Sequence, residues 1–290
     1  MTPAGQDAPA AEARAPRRRG WMTLAAVTSV AVALGAFGAR WAVEEFRTPT
    51  CEFTAGSSSE RLTPEQAANA ATISMVATGR GLPPKASTIA LATAIQESKL
   101  RNLTYGDRDS LGLFQQRPSQ GWGTPEEIND PVYASHAFFD ALVAIPDWAD
   151  WEVTEIAQEV QRSAFPEAYA DHEGEARVMA SALVGQSTAG VACRLDAVEG
   201  SGSAQDVLDK AERTFSGTGA VAGDTVELTT ADTSTAWAVA SWAVTHADAE
   251  HIVRVEVADR AWDRHADPLT WQPTGAPAEG TTVTVTVATD

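Results

Sequence analysis

Residues 86–99 read ASTIALATAIQESK. Ile89, Ala92 and Ile95 recur at helical spacing with little polarity before Gln96-Glu97, which predicts a helix that is largely buried and ends in a carboxylate. The helical pattern extends outward from this stretch. Thr63-Pro64-Glu65-Gln66 has the form of a capping box with proline at the first helical position, and Ile73 and Val76 carry the apolar stripe as far as Gly79 and Gly81. Asp130-Pro131 opens a third helix, with Ala134, Phe138, Ala141, Leu142 and Ile145 at three-to-four spacing and a stop at Pro146. Two more helices are expected around 153–163 and 167–184, separated by Pro166. Between the second and third, residues 101–125 are rich in Gly, Asp and Asn and read as a loop or short hairpin.

Beyond Glu199–Gln205 (EGSGSAQ), which reads as a linker, the period changes. Residues 205–214 and 234–248 look helical and Val226–Thr229 extended, while Ile252–Val257 and Thr281–Val287 alternate as strands do.

The N-terminus predicts a compartment. Arg17, Arg18 and Arg19 precede an uncharged run from Trp21 to Ala39. At 1.5 Å per residue such a run spans roughly 28 Å, enough for a bilayer core. Leading arginines place the tail in the cytoplasm, and Trp21 and Trp41 stand where interfacial aromatics belong. A cleaved signal or a twin-arginine signal is the alternative, but no clean Ala-x-Ala site precedes Arg40. Either way the remainder is exported. Outside the cytoplasm, Cys51 and Cys193 most simply pair.

The 290 residues carry 21 Lys+Arg against 39 Asp+Glu, a formal net charge of −18. Such a field repels phosphates, so a nucleic-acid coat is excluded. One span with no charge in its apolar run offers no ion pathway, which excludes a transporter. The two cysteines and five histidines show no metal-ligand spacing. Asp107 and Asp109 hint at a calcium loop, but Pro118 stands where the closing glutamate should be. No metal and no cofactor are expected.

Glu97 is the candidate catalytic residue. Burial and the negative end of a helix dipole both favour the protonated form of a carboxylic acid, and cleavage of a glycosidic bond needs such an acid to protonate the leaving oxygen. A glutamate at a helix end is more commonly just solvated, so its surroundings decide. Gln96-Glu97-Ser98-Lys99-Leu100-Arg101-Asn102, followed by Ser110-Leu111-Gly112-Leu113-Phe114-Gln115-Gln116, resembles the soluble lytic transglycosylase family of the lysozyme-like superfamily. Residues 105–123 and 160–169 resemble an actinobacterial membrane-anchored branch of it, and the likeness covers roughly residues 62–185.

The resemblance implies that Glu97 is the acid/base cleaving the MurNAc–GlcNAc bond of peptidoglycan. Gln115 would line the cleft and bond sugar, with Gln116 beside it as a further substrate-binding candidate, aimed elsewhere if the segment is extended. Tyr169 would face the glutamate, although the family's Ala-Tyr-Asn reads Ala168-Tyr169-Ala170 here, leaving packing as its alternative role. Tyr105 and Trp122 are candidates for stacking on sugar faces. Hydrolysis would need a second carboxylate, for which Asp107 or Asp109 is nearest; the family uses the substrate's acetamido group and leaves a 1,6-anhydromuramyl end.

The expected organisation is therefore a cytoplasmic tail (1–20), a transmembrane signal anchor (21–43), a mainly α lysozyme-like domain (44–195), a linker (196–206) and a small C-terminal α/β (α+β) domain of unknown role (207–290). In related anchored proteins the last part resembles a zinc peptidase, but His246, His251 and His265 lack its ligand spacing. The expected partners are peptidoglycan glycan strands and the cytoplasmic membrane. The alternatives are a non-catalytic wall-binding or scaffold protein with a vestigial sugar cleft, or a true muramidase.

Overall fold

The computed structural model describes residues 48–161, 166–276 and 280–289. Strand β1 (Thr50–Ala55) turns back on β2 (Ser58–Leu62). Helix α1 (Pro64–Gly79) follows, with the expected capping box made by Thr63 and Gln66. Helix α2 (Pro84–Ser98) packs beside it, both largely buried as their Ala- and Ile-rich faces require. The short α3 (Pro125–Ile128) leads into α4 (Pro131–Val143), capped by Asp130. Helix α5 (Val153–Gln161), a 3₁₀ turn over Pro166–His172 and α6 (Glu173–Leu183) complete the helical part.

Strand β3 (Val191–Arg194) then pairs antiparallel with β1, giving a three-stranded sheet in the order β2-β1-β3. Cys51 and Cys193 are register partners across β1 and β3 and form a disulfide, as the sequence predicts. The bridge therefore joins the strands that open and close the helical part.

The C-terminal part comprises α7 (Ala204–Phe215), β4 (Thr218–Ala222), β5 (Thr225–Thr229), α8 (Thr233–Thr245), β6 (Ile252–Val257), β7 (Arg260–Asp263), β8 (Gln272–Pro273) and β9 (Thr282–Val287). Its strands make an antiparallel six-stranded sheet in the order β4-β5-β9-β6-β7-β8. Val226, Leu228, Val255, Val283 and Val285 are buried on one face of it, as period-two alternation dictates.

The expected mainly α domain followed by a separate small domain is corrected by these two antiparallel sheets. The fold mixes helix and sheet, and residues 49–290 form one compact unit with a continuous core. The expected linker, 196–206, does not divide that core. Helix α8 packs on α1, α6 and β3, and Ser241 Oγ donates to the Ala182 carbonyl at 3.2 Å. Trp262 and Trp271 donate their indole N–H groups to the carbonyls of Cys193 (3.2 Å) and Val191 (2.8 Å). Arg264 donates twice to the Asp196 carbonyl. Residues 191–196, where the chain leaves the helical part, are thus laced down by bonds from residues 68 to 80 positions away, which composition does not reveal.

Among the described residues, no helix is long and apolar enough to cross a membrane. The tail 1–20 and the expected anchor 21–43 lie outside the described residues.

Candidate active site

The C-terminal end of α2 is the foundation of the site. The helix stops because Lys99 (φ 55°) and Leu100 (φ 58°) both adopt the left-handed conformation, their N–H groups returning to the carbonyls of Ile95 and Ala94. Two residues of α1 hold this reversal: Gln66 donates to the Lys99 carbonyl at 2.8 Å and Asn69 to the Leu100 carbonyl at 2.9 Å. The chain leaves sideways, so on the last turn Gln96 is exposed and Glu97 only half-buried.

Ser98 turns inward. Its buried hydroxyl lies 2.7 Å from the Leu113 carbonyl and 3.0 Å from that of Ala94, pinning the helix end to the following loop. That loop contains a tight reversal in which Leu111 and Gln116 exchange both backbone hydrogen bonds, while Gly112 N–H donates to the Leu103 carbonyl. Gly112 has φ +74°, and a Cβ there would meet the Ile128 carbonyl oxygen at 2.5 Å, so glycine is required. Phe114 stacks on Phe138 of α4 at 4.6 Å, and Gln161 of α5 donates to the Phe114 carbonyl at 2.7 Å.

Tyr169 reaches the helix end from the opposite side. Buried in the 3₁₀ turn, it donates its hydroxyl proton to Glu97 Oε1 at 2.7 Å across 72 residues of chain. The chain matches no protein-family model and no curated protein.

Glu97 itself is half-buried, and among the described residues only Oε1 is engaged by protein. The tyrosine fixes the rotation of the carboxyl and leaves Oε2 available to a reacting atom. One oxygen held and one offered is the arrangement a positioned general acid/base needs.

The remaining candidates divide. Gln115 (φ 49°) is half-buried; its amide lies 3.3 Å from the Gly112 carbonyl and 3.4 Å from that of Tyr105, folded onto its own loop. A Cβ on Gly106 would meet Gln115 Oε1 at 2.0 Å, so a glycine there makes room for the amide. Gln116, expected to bind substrate, is buried and donates to the Ala134 carbonyl at 3.3 Å. The 111–116 reversal, with Gln115 in the left-handed conformation, turns it into the interior. Tyr105 is 71% exposed, whereas Trp122 packs partly against the core.

Each aspartate has a partner in its own loop. Asp107 pairs with Arg117 at 2.8 Å. Asp109 accepts from the Ser119 backbone N–H (2.8 Å) and hydroxyl (3.0 Å), and these bonds hold its carboxyl below the ordinary range. Both carboxylates organise the 107–119 loop. Among the described residues, no cluster of three His, Cys, Asp or Glu side chains is arranged to hold a metal.

Two polar neighbours of the site carry no sequence signal strong enough to find them. His172 Nε2 lies 2.9 Å from Gln96 Oε1, and its Nδ1 lies 2.6 Å from Glu175 Oε1. Only the three-residue spacing from Tyr169 hints at His172, and that spacing has meaning once residues 166–172 are known to be 3₁₀.

Proposed function

We propose that the chain is a peptidoglycan lytic transglycosylase with Glu97 as its acid/base. The observation that carries this is the hydrogen bond from Tyr169 to Glu97, which joins the two residues the family resemblance singles out. Ser98 adds support by tying the glutamate's helix to the Leu113–Gln115 segment that the same resemblance assigns to the cleft.

In this mechanism Glu97 Oε2 hands a proton to the glycosidic oxygen of the MurNAc–GlcNAc bond. The C1–O bond breaks as the carbonyl oxygen of the substrate's acetamido group bonds C1. Glu97, now a carboxylate, accepts the proton of the C6 hydroxyl, and that oxygen displaces the acetamido oxygen from C1 to close the 1,6-anhydro ring. The proton balance closes on one carboxyl, so no second carboxylate is required. The engagement of both Asp109 oxygens by Ser119 disfavours that residue as the partner hydrolysis would need.

The disulfide supports work in an oxidising compartment. We place the described residues on the extracytoplasmic side of the cell membrane, held near the wall by the apolar run 21–39 as a single span.

The test is mass spectrometry of sugar fragments released from purified peptidoglycan by the exported part, 44–290, wild type beside Glu97→Gln. Anhydromuramyl products that vanish in the variant support the proposal. Reducing-end products would mean hydrolysis, and no release alongside retained sedimentation on the wall would mean a binding module.

A further inference from the structure

The turn that delivers Tyr169 has a second attachment to α2. It runs over seven residues, Pro166–His172, as a 3₁₀ helix. With three residues per turn, side chains at i and i+3 eclipse, so Tyr169 and His172 leave the same edge of the turn. They meet consecutive residues of α2: Tyr169 Oη bonds Glu97, and His172 Nε2 faces Gln96 Oε1 at 2.9 Å.

The imidazole is itself braced from behind. Glu175, on the first turn of α6, lies 2.6 Å from Nδ1. Glu175, His172 and Gln96 thus form a polar chain running beside the Tyr169–Glu97 bond. A carboxylate oxygen only accepts, so Nδ1 carries the proton toward Glu175. A neutral ring then accepts at Nε2 from the Gln96 amide, turned to present its NH2 group, and rotation of the ring would lose both contacts.

We propose that His172 is a positioning residue for this site: through Gln96 it holds the 166–172 turn in the register that keeps the Tyr169 hydroxyl on Glu97. The effect on catalysis rests on the glycan-cleavage reading, whereas the effect on the Tyr169–Glu97 bond does not. A small sliding of the turn along α2 would separate Tyr169 Oη from Glu97 Oε1 while leaving the aromatic ring buried, and a hydrogen bond weakens steeply over such a displacement.

The experiment labels tyrosine at Cζ with ¹³C in residues 44–290. The three tyrosines of the chain, Tyr105, Tyr133 and Tyr169, give three signals, and Tyr169→Phe identifies the one of interest. In His172→Ala the Tyr169 signal should move toward its position in Glu97→Ala, while far-ultraviolet circular dichroism stays native. His172→Gln, whose amide reaches the place of Nε2, should restore the wild-type position; His172→Asn, whose amide reaches only the place of Nδ1, should not. Glu175→Gln provides a milder perturbation for use if His172→Ala does not fold, and should move the signal the same way by less. On peptidoglycan, His172→Ala should lower kcat about tenfold to a hundredfold with KM little changed, as misplacement of a catalytic group does.

An unmoved Tyr169 signal in folded His172→Ala or Glu175→Gln would overturn the proposal. So would equal loss in the Gln and Asn variants, which would reduce His172 to packing. If wild-type protein cleaves no glycan, the functional reading fails, yet the Tyr169 signal still decides whether His172 sets the bond.

Discussion

His246 Nε2 lies 3.3 Å from Thr72 Oγ1, joining α8 to α1 across 174 residues. The imidazole is almost completely buried, tilted against Trp242 at 4.8 Å, with Nδ1 2.8 Å from the Trp242 carbonyl. A carbonyl only accepts, so Nδ1 carries the proton. Burial pushes the ring's pKa down from 6.5 to about 4, and the Lys210 charge adds to the effect. Between those two values the unfolded chain binds the proton that the folded chain refuses. Stability is therefore full above pH 6.5 and falls as the pH drops toward 4, by about 3 kcal/mol from this group. Urea unfolding of wild type and His246→Gln at pH 7.5 and 4.5 measures it. The variant should show a shallower loss; identical slopes would mean that His246 is not the group responsible.

The disulfide closes a loop of 142 residues between β1 and β3, which pair antiparallel. The chain-entropy account gives about 5 kcal/mol for such a loop. Replacing both Cys51 and Cys193 by Ala should cost about 2–5 kcal/mol in chemical denaturation, with dithiothreitol destabilising wild type alone.

Ser98→Ala removes the hydroxyl that reaches the Leu113 carbonyl and leaves that buried acceptor without this donor. A cost of about 1–3 kcal/mol is expected. Because the same bond ties the Glu97 helix to the 111–116 loop, glycan cleavage should also fall, and should do so at temperatures where the variant remains folded. A stability loss with unchanged turnover would confine Ser98 to packing.

Asp107→Asn and Asp109→Asn discriminate the chemical routes. If the substrate assists its own cleavage, both variants should still release anhydromuramyl products, with turnover within about threefold of wild type. A collapse of activity in either, with Glu97 unchanged, would identify that residue as the second carboxylate of a hydrolase.

Gly112→Ala forces a side chain onto a residue with φ +74° and into the Ile128 carbonyl oxygen at 2.5 Å. Strain of this kind costs about 1–3 kcal/mol, and a thermal melt would record it directly. An unchanged melting temperature would show that the loop relaxes freely.

Much of the helical part is legible in the residues. Thr63-Pro64 starts α1 and Asp130-Pro131 starts α4, as capping chemistry requires, and the periodic stripe of residues 86–99 becomes α2. The first sheet is not legible. Strand β1 carries only Cys51 and Phe53 as fully buried apolar residues, β2 reads SSERL, and β3 is four residues long. Such segments acquire strand conformation from partners far along the chain, and local pattern carries almost nothing of that. The same holds for the lacing of residues 191–196 by Trp262, Arg264 and Trp271, which merges what composition divides.

For the site, the sequence by itself determined that a carboxylate ends a buried helix, that a glycine-bearing loop follows, and that two cysteines await pairing. These are consequences of periodicity, capping and residue type, all local. Only the tertiary structure decided that Tyr169 meets Glu97, that Ser98 reaches Leu113, that Gln116 faces inward and that Asp107 and Asp109 are occupied by Arg117 and Ser119. Each of these depends on where a turn places a side chain to within an ångström. Hydrogen bonds discriminate at that scale, whereas hydrophobic periodicity fixes a face and not a partner.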